Sequence, residues 1–137
     1  MDQLLEFVDN HWMLCSAFFV LLSVFIRYEM SRGGKGVHCQ EAVNLINHEN
    51  AIVLDVRPTK EFNKGHITDS INIPHNLLAE RFVELDKYKE QPIILVCAQG
   101  HTTGASGQLL RKQGWENLYR LTGGITAWEE QRLPLAN

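Results

Sequence analysis

Residues 92–103 read Pro-Ile-Ile-Leu-Val-Cys-Ala-Gln-Gly-His-Thr-Thr, and this stretch decides the fold. Its first half, 92–97, is a continuous apolar run of strand length, which is typical of a strand buried on both faces. A turn is predicted at 98–102, followed by a helix at 103–113 with Gly114 as its left-handed stop. A buried strand that leads through a short loop into a helix is the repeating unit of a parallel α/β sheet.

The chain on either side of this stretch repeats the same alternation. Strands are predicted at Val37, 51–56, 70–73 and 118–121, and helices at 40–48, 58–64, 76–85 and 124–131. Strands separated by helical segments of this length require right-handed crossovers and give a mostly parallel sheet. The predicted fold class is therefore α/β, with three layers around a mostly parallel central sheet.

An uncharged apolar stretch precedes this domain. Residues 10–26 contain no Asp, Glu, Lys or Arg. They would make about 25 Å of helix at 1.5 Å per residue, which is short for a bilayer core but within the tolerated range. Trp12 and Tyr28 flank the stretch, where aromatic side chains prefer the lipid headgroups. We therefore predict one N-terminal transmembrane helix at 10–28, in contact with membrane lipid.

The charges around this stretch predict its orientation. All 13 lysines and arginines lie at or after position 27, whereas Asp2, Glu6 and Asp9 precede the stretch. The positive-inside rule then places the C-terminal domain in the cytoplasm and the N-terminus outside. The predicted organisation is a short extracytoplasmic N-terminus at 1–9, the transmembrane helix at 10–28, a linker at 29–36 and the α/β domain at 37–137.

Two other interpretations of the apolar stretch stay open. A cleaved signal peptide has a basic start and a small-residue cleavage site. This sequence instead starts with acidic residues, and Arg27-Tyr28-Glu29 follows the stretch directly. A buried or interfacial helix is the second alternative, because the stretch is short.

Composition and charge exclude several classes of function. The chain has 137 residues, of which 45% are hydrophobic and 21% charged, so it is globular rather than disordered. Its formal net charge of -3 argues against a nucleic-acid partner. Three cysteines without a CxxC pair, and histidines without metal-ligand spacing, argue against a disulfide framework and a metal site.

Cys97 is the residue on which the functional prediction depends. It ends a buried strand and opens a loop into a helix, at the edge where open parallel sheets bind ligands. Gly100 can adopt a positive φ and let backbone amides converge on the sulfur, and Thr102 and Thr103 add hydroxyl donors. A thiolate in such a loop is a competent nucleophile. The alternative is that Cys97 is a small hydrophobic residue ending a core strand.

Three further side chains are predicted to reach the same edge of the sheet. Asp55 and Arg57 lie at the carboxyl end of one predicted strand, and His75 lies just after another. Asp55 is alternatively a helix cap, and Arg57 is alternatively a partner of Asp55 or Glu61. We interpret His75 and His101 as hydrogen-bonding or surface residues, with a catalytic role as the alternative.

Taken in order, the motifs of residues 37–135 resemble a single rhodanese-like domain. The matching pieces are Asp55-Val-Arg57, Phe62-Asn-Lys-Gly-His-Ile67, Ser70-Ile-Asn-Ile-Pro74, Cys97-Ala-Gln-Gly-His-Thr102, Gly123-Gly-Ile-Thr-Ala-Trp128 and Leu133-Pro134. The whole layout is similar to single-pass, membrane-anchored rhodanese-like proteins of Gram-negative bacteria. This resemblance implies that the anchor lies in the cell inner membrane.

The resemblance also implies sulfurtransferase chemistry. The Cys97 thiolate would take the outer sulfur of thiosulfate or a persulfide donor, and a thiophilic acceptor such as cyanide or a thiol of another protein would then take it from the Cys97 persulfide. The substrate-binding residues implied are Arg57, Ala98, Gln99, Gly100, His101, Thr102 and Thr103, with Asp55 in a supporting role. The resemblance implies no metal and no organic cofactor.

The residues after Cys97 distinguish sulfurtransferase chemistry from that of cysteine phosphatases. Cysteine phosphatases place an arginine six positions after the cysteine to bind phosphate oxygens, and Thr103 stands there in this chain. Members that use thiosulfate often carry basic side chains just after the cysteine, whereas Ala98 and Gln99 are uncharged. A persulfide is therefore an alternative sulfur donor to thiosulfate. Two other functions stay open: a non-catalytic interaction module at the membrane, and a thiol redox sensor with Cys39 as its partner.

Overall fold

The computed structural model describes residues 1–31 and 33–137, which divide into two compact units, 1–31 and 33–137. The first unit consists of two helices, α1 (Asp2–Asn10) and α2 (Trp12–Ser31). Within α2, the stretch Trp12–Glu29 is long and apolar enough to cross a membrane, and none of it is buried in the structure. By length and composition, α2 is therefore able to span a bilayer.

The structure adds helix α1, which the sequence analysis did not predict. Leu4, Leu5 and Val8 recur at helical spacing, whereas Asp2 and Glu6 belong to the polar face of the same helix. The signal was therefore present in residues 2–10, although it is brief. The linker predicted at 29–36 overlaps both neighbouring elements, because α2 extends to Ser31 and the first strand of the second unit begins at Lys35.

The second unit is an α/β fold. Its elements in chain order are β1 (Lys35–Val37), α3 (Cys39–Glu49), β2 (Ile52–Asp55), α4 (Thr59–Lys64), β3 (His66–Ile67), β4 (Ile71–Asn72), a 3₁₀ turn (His75–Leu77), α5 (Leu78–Arg81), a 3₁₀ segment (Phe82–Tyr88), β5 (Ile93–Val96), α6 (Thr103–Lys112), β6 (Leu118–Leu121), α7 (Gly124–Glu130) and β7 (Leu135–Ala136). Apart from the segment 76–85, each strand and helix predicted after residue 36 is present, with bounds within two residues of the prediction.

Five strands form the central sheet, in the order β1-β6-β5-β2-β4. Every pairing between neighbours in this sheet is parallel; for example, Ile94 of β5 lies between Val53 of β2 and Tyr119 of β6. β3 and β7 form a separate antiparallel pair. The predicted parallel α/β sheet is confirmed, and the small second sheet was missed because two-residue strands carry no readable alternation.

Apolar side chains cover both faces of the sheet. Along β5, Ile94 and Val96 pack into one cluster with residues of α3 and α7, whereas Ile93 and Leu95 pack into another with residues of α5 and α6. This alternation explains why β5 is apolar at every position. One cluster lies between each face of the sheet and the helices that cover it, so the fold has three layers, as the sequence predicts.

The structure corrects the helix predicted at 76–85. This part of the chain forms a 3₁₀ turn, the short helix α5 and a longer 3₁₀ segment. Leu78 and Leu85 are fully buried, so the apolar spacing identified the buried face correctly. The hydrogen-bonding pattern differs because a 3₁₀ helix has about three residues per turn, and a few apolar positions do not distinguish that period from 3.6.

Candidate active site

The carboxyl ends of β2, β4 and β5 meet at one edge of the sheet. Cys97 follows β5 directly, and Asp55 is the last residue of β2, which lies between β5 and β4. The chain after β4 stays beside β2, because the His75 amide donates to the Val56 carbonyl oxygen at 3.0 Å. The structure therefore brings Asp55, His75 and Cys97 to the same edge, as the sequence predicts.

A cleft of ≈ 440 Å³ opens at this edge. Its lining includes Cys97 together with the predicted substrate-binding residues Arg57, Ala98, Gln99, His101 and Thr102. His75 and Glu61 line it as well. Cys97 is only 4% exposed, so a substrate reaches its sulfur through this cleft.

The cysteine loop, residues 97–103, closes around the sulfur of Cys97. The Gly100 amide donates to Cys97 Sγ at 2.8 Å. Gly100 has a φ of 91°, in the left-handed region that residues with a Cβ disfavour. The hydroxyl of Thr103 donates to the Gly100 carbonyl oxygen at 3.2 Å and closes the loop at the start of α6. Both the amide hydrogen bond and the N-terminus of α6 favour negative charge on the sulfur.

Two of the predicted substrate-binding residues do not line the cleft. Gly100 and Thr103 instead line a second cavity of ≈ 240 Å³, together with Arg120 and Thr122. Gly100 contributes to the site through its amide rather than through the wall of the cleft. Thr103 is 1% exposed, and its hydroxyl is engaged within the cysteine loop.

The first turn of α7 supports the cysteine loop. The Ile125 amide donates to the Cys97 carbonyl oxygen at 2.9 Å, and the amide and hydroxyl of Thr126 donate to the Ala98 carbonyl oxygen at 3.2 and 3.0 Å. Gly124 has a φ of 61°, and a Cβ there would lie 2.3 Å from the Cys97 carbonyl oxygen. No role was predicted for Gly124, although the paired glycines at 123–124 are a signal of close backbone approach.

We expect Gly124→Ala to displace the cysteine loop. The new methyl group would meet backbone atoms that cannot turn away, and the left-handed φ adds strain, so the free energy of unfolding should fall by about 2 kcal/mol. Alkylation of Cys97 by iodoacetamide should slow by about tenfold, because a small displacement of a reacting group has a large kinetic effect. The rate is measured by peptide mass spectrometry.

Gly114→Ala is the matched control for this variant. Gly114 also has a positive φ, of 106°, but a Cβ there would meet only the end of the Lys89 side chain, at 3.5 Å. The Gly114→Ala variant should therefore be less stable than wild type but should keep the same alkylation rate of Cys97. Equal rates in the two variants would contradict a supporting role for Gly124.

A buried ion pair lies at the wall of the cleft, which Arg57 lines. Arg57 Nη2 is 2.8 Å from Asp55 Oδ2, and Arg57 Nε is 3.0 Å from each carboxylate oxygen. Arg57 Nη2 also donates to the Gly65 carbonyl oxygen at 2.8 Å. Asp55 is 1% exposed and Arg57 is 7% exposed. The alternative in which Arg57 pairs with Asp55 is confirmed, whereas donor binding by Arg57 stays a prediction.

His75 is held by a residue that the sequence analysis did not single out. His75 Nδ1 lies 2.7 Å from Ser106 Oγ, and the Ser106 hydroxyl lies 3.2 Å from the Thr102 carbonyl oxygen. Ser106 belongs to α6 and is fully buried. This network fixes His75 against the helix that follows the cysteine loop. No sequence signal links His75 with Ser106, because they are 31 positions apart in different elements.

The three cysteines are free thiols. Cys39 and Cys97 belong to the two different core clusters, on opposite faces of the sheet. Burial raises the pKa of the Cys39 thiol above its ordinary value. The sheet therefore separates Cys39 from Cys97, and this separation argues against Cys39 as the redox partner of Cys97.

We expect iodoacetamide at neutral pH to modify Cys97 well before Cys39. Both thiols are buried, but Cys97 lines the cleft, whereas the raised pKa of Cys39 keeps it in the unreactive thiol form. Modification of Cys39 should increase as the pH becomes alkaline, because the thiolate population grows through the raised pKa. Peptide mass spectrometry of the full-length protein in detergent measures both sites, and equal modification at neutral pH would contradict the assignment.

Known proteins share the sequence and the fold of this chain. The family described as "Rhodanese-like domain" matches residues 38–131. The chain is 34% identical over 139 residues to the protein YibN of Escherichia coli K12, which covers 98% of this chain and 97% of YibN. It is 31% identical over 100 residues to the thiosulfate sulfurtransferase GlpE of Pseudoalteromonas translucida, which covers 69% of this chain and 89% of GlpE. A crystal structure of a rhodanese-related protein from Thermoplasma volcanium superimposes with a TM-score of 0.68 and 29% identity, covering 75% of this chain and 98% of that one.

Proposed function

The chain belongs to the rhodanese-like domain family, and from this premise we propose that it is a membrane-anchored sulfurtransferase that carries a sulfane sulfur on Cys97. Its relatives include thiosulfate sulfurtransferases, one of which is 31% identical to this chain. One observation carries the proposal: Cys97 lines the cleft, and its sulfur accepts a hydrogen bond from the Gly100 amide at 2.8 Å. The sulfur of Cys97 is thus a nucleophile that a substrate can reach and whose negative charge a hydrogen-bond donor stabilises.

In the first step, the Cys97 thiolate attacks the outer sulfur of the donor. With thiosulfate, a new bond forms between Cys97 Sγ and the outer sulfur, and the sulfur–sulfur bond of thiosulfate breaks. Sulfite leaves with the bonding electron pair, and Cys97 becomes a persulfide with negative charge on its terminal sulfur. With a persulfide donor, a thiolate leaves in place of sulfite.

In the second step, a thiophilic acceptor attacks the terminal sulfur of the Cys97 persulfide. The bond from Sγ to the terminal sulfur breaks, and its electron pair returns to Sγ as the thiolate. Cyanide would leave as thiocyanate and a thiol as a persulfide. Amides of the cysteine loop oppose the negative charge on sulfur in both steps.

The wall of the cleft influences which donor binds. Ala98 and Gln99 are exposed and uncharged, and the guanidinium of Arg57 is held by Asp55. In this proposal, His101 and the loop amides then attract the anionic donor. We therefore propose that persulfide donors are used at least as well as thiosulfate.

Formation of thiocyanate by the full-length protein in detergent tests this proposal. Thiosulfate and a small-molecule persulfide are supplied as donors in separate reactions with cyanide, and transfer is expected with at least one of them. If neither donor supports transfer while iodoacetamide still modifies Cys97, the sulfurtransferase assignment fails and the non-catalytic interaction module becomes the better assignment.

We also propose that α2 anchors the protein in the cell inner membrane, with the N-terminus outside and the domain at 37–137 in the cytoplasm. The support is the apolar stretch Trp12–Glu29 and the confinement of all lysines and arginines to positions 27 and beyond. The protein should stay with bacterial membranes during alkaline carbonate extraction, and protease should cleave the domain only in inverted vesicles. Release into the soluble fraction would overturn the anchor, and cleavage in intact spheroplasts would reverse the orientation.

A further inference from the structure

The cleft holds a proton-accepting group, His75, that the transfer steps above do not use. We propose that His75 accepts the proton of a thiol acceptor in the second step, and that Ser106 positions His75 for this role. The inference rests on the proposed sulfurtransferase function, and it deepens that function by assigning neutral thiols as an acceptor class.

The position of His75 suits a group that meets the acceptor. His75 lines the same ≈ 440 Å³ cleft as Cys97. Its backbone is tied to the end of β2 by the hydrogen bond to Val56, and its ring is tied to α6 by the 2.7 Å contact with Ser106. His75 is therefore held from two elements, its backbone by the chain after β2 and its ring by α6.

The hydrogen bonds favour one arrangement of the ring nitrogens. The Ser106 hydroxyl has one hydrogen, and with that hydrogen donated to the Thr102 carbonyl oxygen its lone pairs accept from His75 Nδ1. Nε2 of neutral His75 is then the basic nitrogen. When Nε2 gains a proton, Nδ1–H keeps the same partner, so the ring changes charge without moving.

Other titratable groups share the cleft with His75. They are Arg57, Glu61, Cys97 and His101. Arg57 is bound to Asp55, and Cys97 carries the sulfur. Glu61 and His101 are exposed. Among the titratable side chains that line the described cleft, His75 is the one that contacts a fully buried hydroxyl, which favours it as the proton acceptor.

The step balances without an oxidant or a reductant. The S–H bond of the acceptor breaks, its proton moves to His75 Nε2, and the acceptor sulfur bonds to the terminal sulfur of the persulfide. The bond from Cys97 Sγ to that sulfur breaks, and Sγ takes the electron pair. His75 afterwards releases the proton to water. An ordinary thiol with a pKa near 8.5 is mostly protonated at neutral pH, so removal of its proton accelerates the attack.

A single-turnover experiment tests this role. The full-length protein in detergent is loaded with thiosulfate, freed of excess donor, and discharged either to 2-mercaptoethanol, which is a neutral thiol, or to sulfite, which attacks as an anion and gives thiosulfate. His75→Gln should slow discharge to the thiol by about 100-fold and leave discharge to sulfite within about twofold. Imidazole should partly restore thiol discharge in His75→Ala.

Ser106→Ala tests the positioning role of Ser106. It should slow thiol discharge by about tenfold and leave sulfite discharge unchanged, because the ring loses its partner but stays in the cleft. A purely structural defect would slow both acceptors. His48→Gln is the matched control, since His48 is exposed on α3, outside the cleft, and it should change neither rate.

The outcomes separate this inference from the function on which it rests. Failure of the wild-type protein to load sulfur from any donor would overturn the proposed function and the role of His75 with it. Normal loading with equal slowing toward both acceptors, or no slowing, would overturn the role of His75 alone. A thiol-specific defect in Glu61→Gln, with none in His75→Gln, would transfer the role to Glu61.

Discussion

Cys97→Ala is expected to lower sulfur transfer by about a thousandfold or more, because removal of a covalent nucleophile leaves only background reaction. The substitution deletes one buried sulfur atom beside β5, so the fold should persist with a loss of about 1 kcal/mol in the free energy of unfolding. Thiocyanate formation measures transfer, and circular dichroism establishes that the variant is folded.

Cys39→Ala is the matched control for Cys97→Ala. It removes the same group from the opposite face of the sheet, where Cys39 packs at the start of α3. Transfer should stay within about twofold of wild type, with a similar small loss of stability. Equal loss of activity in the two variants would mean that the defect is structural, and normal transfer by Cys97→Ala would exclude Cys97 as the sulfur carrier.

Arg57→Ala is expected to destabilise the domain by about 3–5 kcal/mol, because it leaves the Asp55 carboxylate buried without its partner. Asp55 is 1% exposed and accepts hydrogen bonds from both the side chain and the amide of Arg57. Urea unfolding of the full-length protein in detergent measures the change. The buried indoles of Trp115 and Trp128 provide the fluorescence signal.

A surface ion pair provides the control for this variant. Arg81 contacts Glu84 at 2.7 Å, but both side chains are largely exposed, so solvent screens the pair and Arg81→Ala should leave the free energy of unfolding nearly unchanged. The double variant Asp55→Leu, Arg57→Met removes both buried charges and should recover much of the stability. An Arg57→Ala variant as stable as Arg81→Ala would contradict the structural role of the buried pair.

The sequence alone predicts the parts of the fold that carry strong local signals. β5 and the first three residues of β2 are apolar because both faces of these strands are buried, and this pattern is readable without any contact information. The cysteine loop is also predictable from the sequence, because Gly100 marks the positive φ that brings an amide to the sulfur. The position of Cys97 at the edge of a parallel sheet then follows from topology.

The parts that the sequence does not predict depend on contacts between distant residues. Ser106 of α6 contacts His75, which follows β4, and the Ile125 amide in the first turn of α7 donates to the Cys97 carbonyl oxygen. Neither contact leaves a periodic or spacing signal. The ion pair was one of two alternatives open to Arg57, because sequence does not show whether Asp55 or Glu61 lies beside it.

The central claim is that Cys97 carries the transferred sulfur. The intact mass of the full-length protein in detergent, after incubation with thiosulfate and separately with a persulfide donor, tests this claim most directly. We predict a gain of sulfur that is reversed by a reductant, localised to the peptide that contains Cys97, and absent in Cys97→Ala. No gain from either donor, in protein whose Cys97 still reacts with iodoacetamide, would contradict the claim, as would a gain that persists in Cys97→Ala.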